Sequence, residues 1–468
     1  MTVPLATLLD AAPYLADLAV RHAGWFAPAR AAPDAAFAAV LADLGRAGAT
    51  SASEEEVARA LRLAKGRVAL LAAVSEVEGR WTTEQSTAAL SDLADAALDA
   101  GLEVLIRAAV ARGQLGPATA ATAGLAIFAL GKHGGRELNY SSDIDIVAFF
   151  DPDRAPLTDP GEATKLFSRI VQKLAGLMQD RTADGYVFRT DLRLRPDPGA
   201  TPVALPVEAA LAYYESRGQN WERAAWIKAR PCAGDRTAGE AFLKDLAPYV
   251  WRKHLDFATI ADIQAMKRQI NITKNVGDVR VEGHNVKLGR GGIREIEFFT
   301  QTQQLIAGGR DPSLRVRPTC EALRALAAAN WISQQAADEL TETYWYLRGV
   351  ENRLQMRRDE QTHVMPETEA EIATVGTLMG SPNPAAFEST YRAALNLVAA
   401  TIPSSSPKRR RWAAAPETWS SPAPTTIRGR SRHSPAWGSG SRRGPSPRCA
   451  SGTMVATPRP GPRRQGRT

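Results

Sequence analysis

Two short apolar runs interrupt an otherwise helical text and constrain what this chain can fold into. Residues 125–130 read Leu-Ala-Ile-Phe-Ala-Leu and stop at Gly131. Residues 144–150 read Ile-Asp-Ile-Val-Ala-Phe-Phe and stop at Asp151-Pro152-Asp153. Runs of this length, closed by glycine or proline, predict buried strands. Residues 131–142 between them predict a loop with a turn of helix. Helical period dominates elsewhere. Ser51 or Ser53 ahead of Glu54-Glu55-Glu56 supplies a capping hydroxyl and acids for a first turn. Val57, Leu61, Leu63, Ala64, Val68, Leu71 and Val74 then recur at helical spacing, and a second pattern covers residues 83–112. Residues 164–179 predict a helix. Residues 186–194 alternate and predict a third strand, ended by Pro196, Pro198 and Gly199. Further helices are predicted at 209–216, 256–270, 292–306, 317–329, 333–356 and 385–400.

A chain of 468 residues exceeds one core and implies two to four domains. The expected division is a helical region over 1–120, an α/β unit over 121–235, a helical bundle over 236–400 and a tail over 401–468. The fold class is α+β, mostly helical overall. The tail differs in kind: residues 406–468 hold ten Pro and three Trp but no Leu, Phe or Tyr. Such a segment buries too little apolar surface to offset its ordering entropy. Its Arg, Pro, Ser, Gly, Ala and Trp bias is what a GC-rich coding sequence yields in a wrong frame. A natural disordered basic linker is the alternative.

The net charge of +8 invites a nucleic-acid partner, but it is unevenly spread. The last 63 residues carry 14 of the 58 basic residues and one of the 50 acids, Glu417. The preceding 405 therefore hold 44 basic and 49 acidic residues, a mildly acidic body unlike a nucleic-acid binder. No apolar run reaches the length of a membrane span. Met1-Thr2-Val3-Pro4-Leu5 lacks the basic start and apolar stretch of a signal peptide. Cys232, Cys320 and Cys449 are odd in number and far apart, which suits a reducing cytoplasm rather than a disulfide or zinc framework.

The chemistry lies in residues 130–147. Glycines after a strand let the backbone approach a phosphate. Asp143 and Asp145 follow, two apart in a strand and so on one face. Paired carboxylates repel unless a cation lies between them, and hard oxygen ligands suit Mg²⁺ or Mn²⁺. Metal ions so held clamp the attacking and leaving oxygens of a displacement at phosphorus. Asp191, Arg193 and Arg195 lie two apart on the third strand. Asp191 completes a carboxylate triad, and the arginines offer forked donors to phosphate. Alone, Asp-x-Asp is common at strand ends and Arg-x-Arg is usually a solvated face. Together, in this order, the set points to nucleotidyl transfer.

The run Gly131-x-x-Gly134-Gly135-Arg136-Glu137-Leu138-Asn139-Tyr140-x-Ser142-Asp143-Ile144-Asp145 resembles the signature of the glutamine synthetase adenylyltransferase/deadenylylase family. Asp191-Leu192-Arg193-Leu194-Arg195-Pro196, Trp221 to Pro231 and Gly289 to Phe298 are similar to further motifs of that family. The resemblance covers residues 1–400 and is strongest from 124 to 320. It implies a polymerase-beta-like nucleotidyltransferase domain, Asp143, Asp145 and Asp191 as catalytic and metal-binding acids, and Gly131 as the phosphate-loop glycine. Nucleotide and phosphate contacts are then expected at Gly131, Lys132, Ser142, Arg193, Arg195, Lys228 and Arg230. Lys228 and Arg230 are otherwise surface charges beside a buried Trp226.

The family has two such domains in tandem. Leu138-Asn139-Tyr140 and Ile144 resemble the N-terminal copy, which removes AMP from a tyrosine of glutamine synthetase by phosphorolysis and releases ADP. The other copy adds AMP from ATP, and the PII signal protein and glutamine set the balance. No second Gly…Asp-x-Asp set is present here, so deadenylylation is the expected activity. A transferase adding AMP or UMP to a protein, and an inactive fragment binding glutamine synthetase or PII, are the competing readings. Gly289 to Phe298 reads as a structural loop and helix, or as an anion-binding loop around Arg290. Trp345, Tyr346 and Met356 read as core. His133, His254, His284 and His363 lack metal spacing.

Overall fold

Of the two candidate caps, Ser53 starts the long helix: its hydroxyl accepts the Glu56 N–H at 3.2 Å. The structure, a computed structural model, describes residues 3–253 and 280–402. The helix expected at 256–270, His254, and the tail from residue 403 with Cys449 lie outside the described residues. The described residues fall within one unit spanning residues 1–406.

Helices α1 (Leu5–Ala11), α2 (Pro13–Arg21), α3 (Ala23–Ala31) and α4 (Pro33–Thr50) lead into α5 (Glu54–Val77) and α6 (Thr83–Ala111). Thr82 and Gln85 satisfy each other's backbone N–H groups at the start of α6. Strand β1 (Leu125–Ala129) then runs antiparallel to β2 (Asp143–Phe150), joined through the one-turn helix α7 (Gly131–Gly134). Helix α8 (Ala163–Gln179) returns the chain to β3 (Arg189–Asp191), which lies parallel to the start of β2. Strand β4 (Ala204–Pro206) lies parallel to the end of β2. Helices α9 (Val207–Ser216) and α10 (Asn220–Trp226) precede β5 (Arg230–Gly234), antiparallel on the other edge of β1, and α11 (Arg236–Val250) follows.

Alternation along β1 and β2 divides their side chains between two covered faces. Leu125, Ile127, Ala129, Ile144, Ile146, Ala148 and Phe150 join a core with α5, α6 and α8. Ala126, Phe128, Val147 and Phe149 pack with Tyr214, Trp226 and Phe242 on the other side. Burial on both faces is why these strands read as continuous apolar runs.

The third strand is shorter than expected, with only Arg189–Asp191 extended. The Asp191 carboxylate accepts the Arg193 N–H at 2.8 Å and turns the chain. Arg193 and Arg195 therefore do not share a strand face with Asp191. β5 was not expected, because Pro231 argues against a strand. The sheet tolerates it at an edge, where the register shifts between Ile127 and Phe128.

The C-terminal helices are α12 (Ile293–Ala307), α13 (Thr319–Ala328), α14 (Gln334–Met356), α15 (Glu369–Leu378) and α16 (Pro384–Thr401). They share a core that includes Ile296, Leu323, Tyr344, Leu347, Val375 and Tyr391. Trp345 and Tyr346 pack against it, and Met356 is buried in the core under the sheet. Among the described residues, no helix is long and apolar enough to cross a membrane.

Candidate active site

At the start of β2, Ile144 and Ile146 are wholly buried, so Asp143 and Asp145 point the other way. The parallel register sets Asp145 opposite Asp191 and Asp143 opposite Arg189. Burial, and then the charge of Asp191, push the Asp145 carboxyl up to about 6; Lys287 opposes this and Asp143 adds to it. The Leu130 N–H donates to the Asp145 carbonyl at 2.9 Å and pins the glycine turn beside it. Gly131 has φ +54°, and a Cβ there would lie 2.6 Å from Asp145 Oδ2. Gly131→Ala is expected to cost about 1–2 kcal/mol of stability from the left-handed backbone alone. Shifting Asp145 should lower activity by roughly 10²-fold. Chemical unfolding and turnover assays check the two separately. Gly134 serves a different contact, since a Cβ there would meet the Lys228 carbonyl at 2.2 Å.

Each expected cation has protein partners. Arg193 closes on Asp191, with Nε 3.0 Å from Oδ1 and Nη2 2.6 Å from Oδ2. That hydrogen bonding holds Asp191 below its usual range. Arg195 donates to the carbonyls of Pro202, Leu192 and Pro198 at 3.1, 2.8 and 2.8 Å, which ties up its own loop. Lys132 Nζ donates to Asn139 Oδ1 at 2.6 Å and to Glu351 Oε1 on α14 at 2.7 Å. Ser142 Oγ accepts the Asn139 N–H at 3.4 Å and tightens the turn before Asp143. Lys228 is buried and donates to Glu137 Oε2 at 2.6 Å and Thr319 Oγ1 at 2.8 Å. Arg230 straddles Asp95, with contacts of 2.5 and 3.0 Å. Lys228 and Arg230 are thus struts rather than surface charges, the first buried and the second half-buried, while Trp226 is buried as expected. Asp95, His133 and Cys232 bring donor atoms within 4.8 Å of one another. Arg230 and His133 already engage both Asp95 oxygens, so that group belongs to the strut.

Three residues escaped the sequence reading. Arg189 donates to Asp143 Oδ1 at 2.7 Å and to the Tyr186 hydroxyl at 3.0 Å. Its position two residues before Asp191 was the available signal. Glu351 is wholly buried and receives Lys132 from 219 residues away. The charge of Lys287, on the loop before α12, acts on Asp145. In that loop Gly289, Gly291 and Gly292 lie against neighbouring atoms: a Cβ would meet His284 Nε2 at 2.3 Å, the Leu395 carbonyl at 2.1 Å and the Val286 carbonyl at 2.7 Å, respectively. Those glycines serve close packing.

The Asp145 carboxyl, held high by burial and by the charges of Asp191 and Asp143, would be relieved by a hard divalent cation beside it. A mostly helical chain around a small mixed sheet, with Asp-x-Asp at a strand start and a third acid in register beside it, has an α+β nucleotidyltransferase-like fold. Residues 3–245 match the family model described as glutamate-ammonia ligase adenylyltransferase, and residues 264–402 match that of GlnD PII-uridylyltransferase. The chain belongs to the glutamate-ammonia ligase adenylyltransferase family. A bifunctional glutamine synthetase adenylyltransferase/adenylyl-removing enzyme from Agrobacterium fabrum is 51% identical over 406 residues, which is 84% of this chain and 41% of the relative. Its namesake from Brucella melitensis is 48% identical over 400 residues, with the same coverage of 84% and 41%. That from Rhizobium meliloti is 51% identical over 367 residues, 77% of this chain and 37% of the relative. The matched region spans about two fifths of the length of these relatives.

Proposed function

We propose that this chain removes AMP from an adenylylated tyrosine of glutamine synthetase by phosphorolysis, releasing ADP. The observation that carries the reading is the carboxylate trio: Asp143 and Asp145 on one strand face, with Asp191 opposite Asp145. The direction of transfer is supported by the signature type of residues 138–145 and by the words "adenylyl-removing" in the names of the relatives. Asp143, Asp145 and Asp191 would hold Mg²⁺ or Mn²⁺, which supplies charge stabilisation at phosphorus and at the departing phenolate. Gly131, without a Cβ, lets the turn lie against the Asp145 carboxylate. Arg189 orients Asp143, and Arg193 orients Asp191. The partners are adenylylated glutamine synthetase, the PII signal protein as regulator, and phosphate and ADP, with ATP in the opposite reaction. The buried free thiols Cys232 and Cys320 suit the cytoplasm.

A second reading, transfer of AMP or UMP from a triphosphate to a protein, is favoured by the match of residues 264–402 to a uridylyltransferase. The test is ADP release from AMP-modified glutamine synthetase with phosphate and Mg²⁺. The wild-type chain should form ADP, and Asp143→Asn should lose at least about 10³-fold of the rate. Turnover that needs a triphosphate instead of phosphate would favour the second reading.

A further inference from the structure

A helix packed in a core ordinarily turns apolar side chains inward. Along one face α14 does the reverse. Arg348, Glu351, Asn352 and Gln355 follow the i, i+3, i+4, i+7 spacing of a single helix face, and all four are wholly buried. Their partners crowd into the segment that leads from the glycine turn to Asp143. Glu351 holds Lys132, and Arg348 donates to the Glu137 carbonyl and to Asn139 Oδ1. Asn139 Nδ2 donates to Asn352 Oδ1 at 2.7 Å. The Ser141 N–H donates to Gln355 Oε1 at 3.0 Å, and Gln355 Nε2 donates to the Thr362 carbonyl at 3.3 Å.

At the centre of that face the bonds form a relay with one permitted direction. Glu76 on α5 is buried and ion-paired with Arg353, so its carboxylate can only accept. Its Oε2 accepts from Asn352 Nδ2 at 3.0 Å, which turns Asn352 Oδ1 toward Asn139. Asn139 then presents Nδ2 to Asn352 and Oδ1 to Lys132 and Arg348, which can only donate, at 2.6 and 3.0 Å. A reversed amide would set acceptor against acceptor at one end of the relay and donor against donor at the other, a costly arrangement for buried groups. Apolar side chains would fill the same face with no polar groups to satisfy. Directional bonds add a fixed position for the turn along and around the helix. Asn139 lies four residues before Asp143, which shares β2 with Asp145.

We propose that Asn352 is a positioning residue for Asp143 and Asp145: through Asn139 it sets where the two carboxylates stand for a divalent cation, and Glu76 sets the direction of its amide. The assignment rests on the metal-binding role given to those carboxylates above. A relay with one direction can be broken and then repaired. Asn352→Asp sets a carboxylate against the Glu76 carboxylate. Adding Glu76→Gln puts a donor back at that contact, while Asn139 Nδ2 keeps an acceptor and one negative charge stays within the relay.

The test compares wild type, Asn352→Asp, the double change Asn352→Asp with Glu76→Gln, and Val375→Ala, which trims a wholly buried side chain of the C-terminal core outside the relay. Mn²⁺ binding to the folded protein, read from the electron paramagnetic resonance of the free ion, reports on the acids without turnover. Asn352→Asp should weaken Mn²⁺ binding about 10–100-fold and lower kcat by a similar factor, with the KM for phosphate nearly unchanged. The double change should restore most of both. Val375→Ala should lower the unfolding midpoint and leave Mn²⁺ binding as in wild type, because stability lost elsewhere does not move the acids. If Asn352→Asp does not fold, the double change carries the test: it must fold and bind Mn²⁺ nearly as wild type does. No Mn²⁺ binding by wild type, wild-type affinity in Asn352→Asp, no recovery in the double change, or an equal loss in Val375→Ala would overturn the assignment. ADP formation by wild type with unchanged Mn²⁺ affinity in Asn352→Asp would defeat only the Asn352 role. Absence of ADP formation, with Mn²⁺ binding that falls in Asn352→Asp and returns in the double change, would defeat the phosphorolysis reading and leave the positioning role.

Discussion

Asp145→Asn is expected to make the protein more stable and nearly inactive. In the folded state the carboxyl titrates at about 6, raised by burial and then by Asp191. Its unfolded value is near 3.8. A raised carboxyl favours the fold while protonated, so this contribution is complete below about pH 4 and is lost as pH rises through 6. Near pH 7 the charged Asp145 opposes folding by on the order of 3 kcal/mol. A neutral amide should recover about 1–2 kcal/mol of that, because its own burial is not free. The same change removes an oxygen ligand and a charge from the phosphoryl site, and ADP formation should fall at least about 10³-fold. Urea unfolding at pH 5 and pH 8 checks the stability half: wild type should weaken between the two and the variant much less. Mg²⁺ should raise the wild-type midpoint more than that of the variant. An active variant, or one less stable than wild type at pH 8, would contradict a carboxylate poised for a cation.

Glu351→Ala is expected to be the most destabilising single change near the site. Glu351 is wholly buried on α14, 2.7 Å from Lys132, 3.0 Å from Arg348 and 2.8 Å from His363. Burial alone would raise its carboxyl, but Lys132, the His363 hydrogen bond and Arg348 hold it well below the usual range. Lys132 in turn is pushed down to about 7 by burial, against the pull of Glu351. Truncation leaves cations desolvated around a cavity, and such losses cost about 3–5 kcal/mol. The consequence reaches the site, because Arg348 donates to the Glu137 carbonyl and, at 3.0 Å, to Asn139 Oδ1. Asn139 also receives Lys132 and lies four residues before Asp143. Unfolding by urea should show the loss, and the double change Glu351→Leu with Lys132→Met should recover part of it. A loss below about 1 kcal/mol would mean that α14 does not brace the glycine turn.

The parts of the site that the sequence displays are local. Strand, glycine turn and Asp-x-Asp are contiguous, and both strands announce themselves because burial on two faces makes them apolar throughout. The start of α5 was legible from a hydroxyl and the acids just after it. Where a partner lies far along the chain, the pattern is silent. Lys228 meets Glu137 from 91 residues away and Arg230 meets Asp95 from 135, so composition alone cannot separate strut from ligand. The expectation that Arg193 and Arg195 share a strand face with Asp191 failed for a short-range reason: the Asp191 side chain turns its own backbone, and an i, i+2 argument holds only in a strand. Lys287 sits beside a glycine motif whose glycines serve packing, which drew notice to Arg290 instead.

The most direct measurement is the fate of ³²P-labelled inorganic phosphate given to the wild-type chain with AMP-modified glutamine synthetase and Mg²⁺, without ATP. Phosphorolysis predicts label in the β-phosphate of ADP, in step with the appearance of unmodified glutamine synthetase. Unlabelled AMP with all label left in phosphate, or no demodification by folded protein, would contradict it.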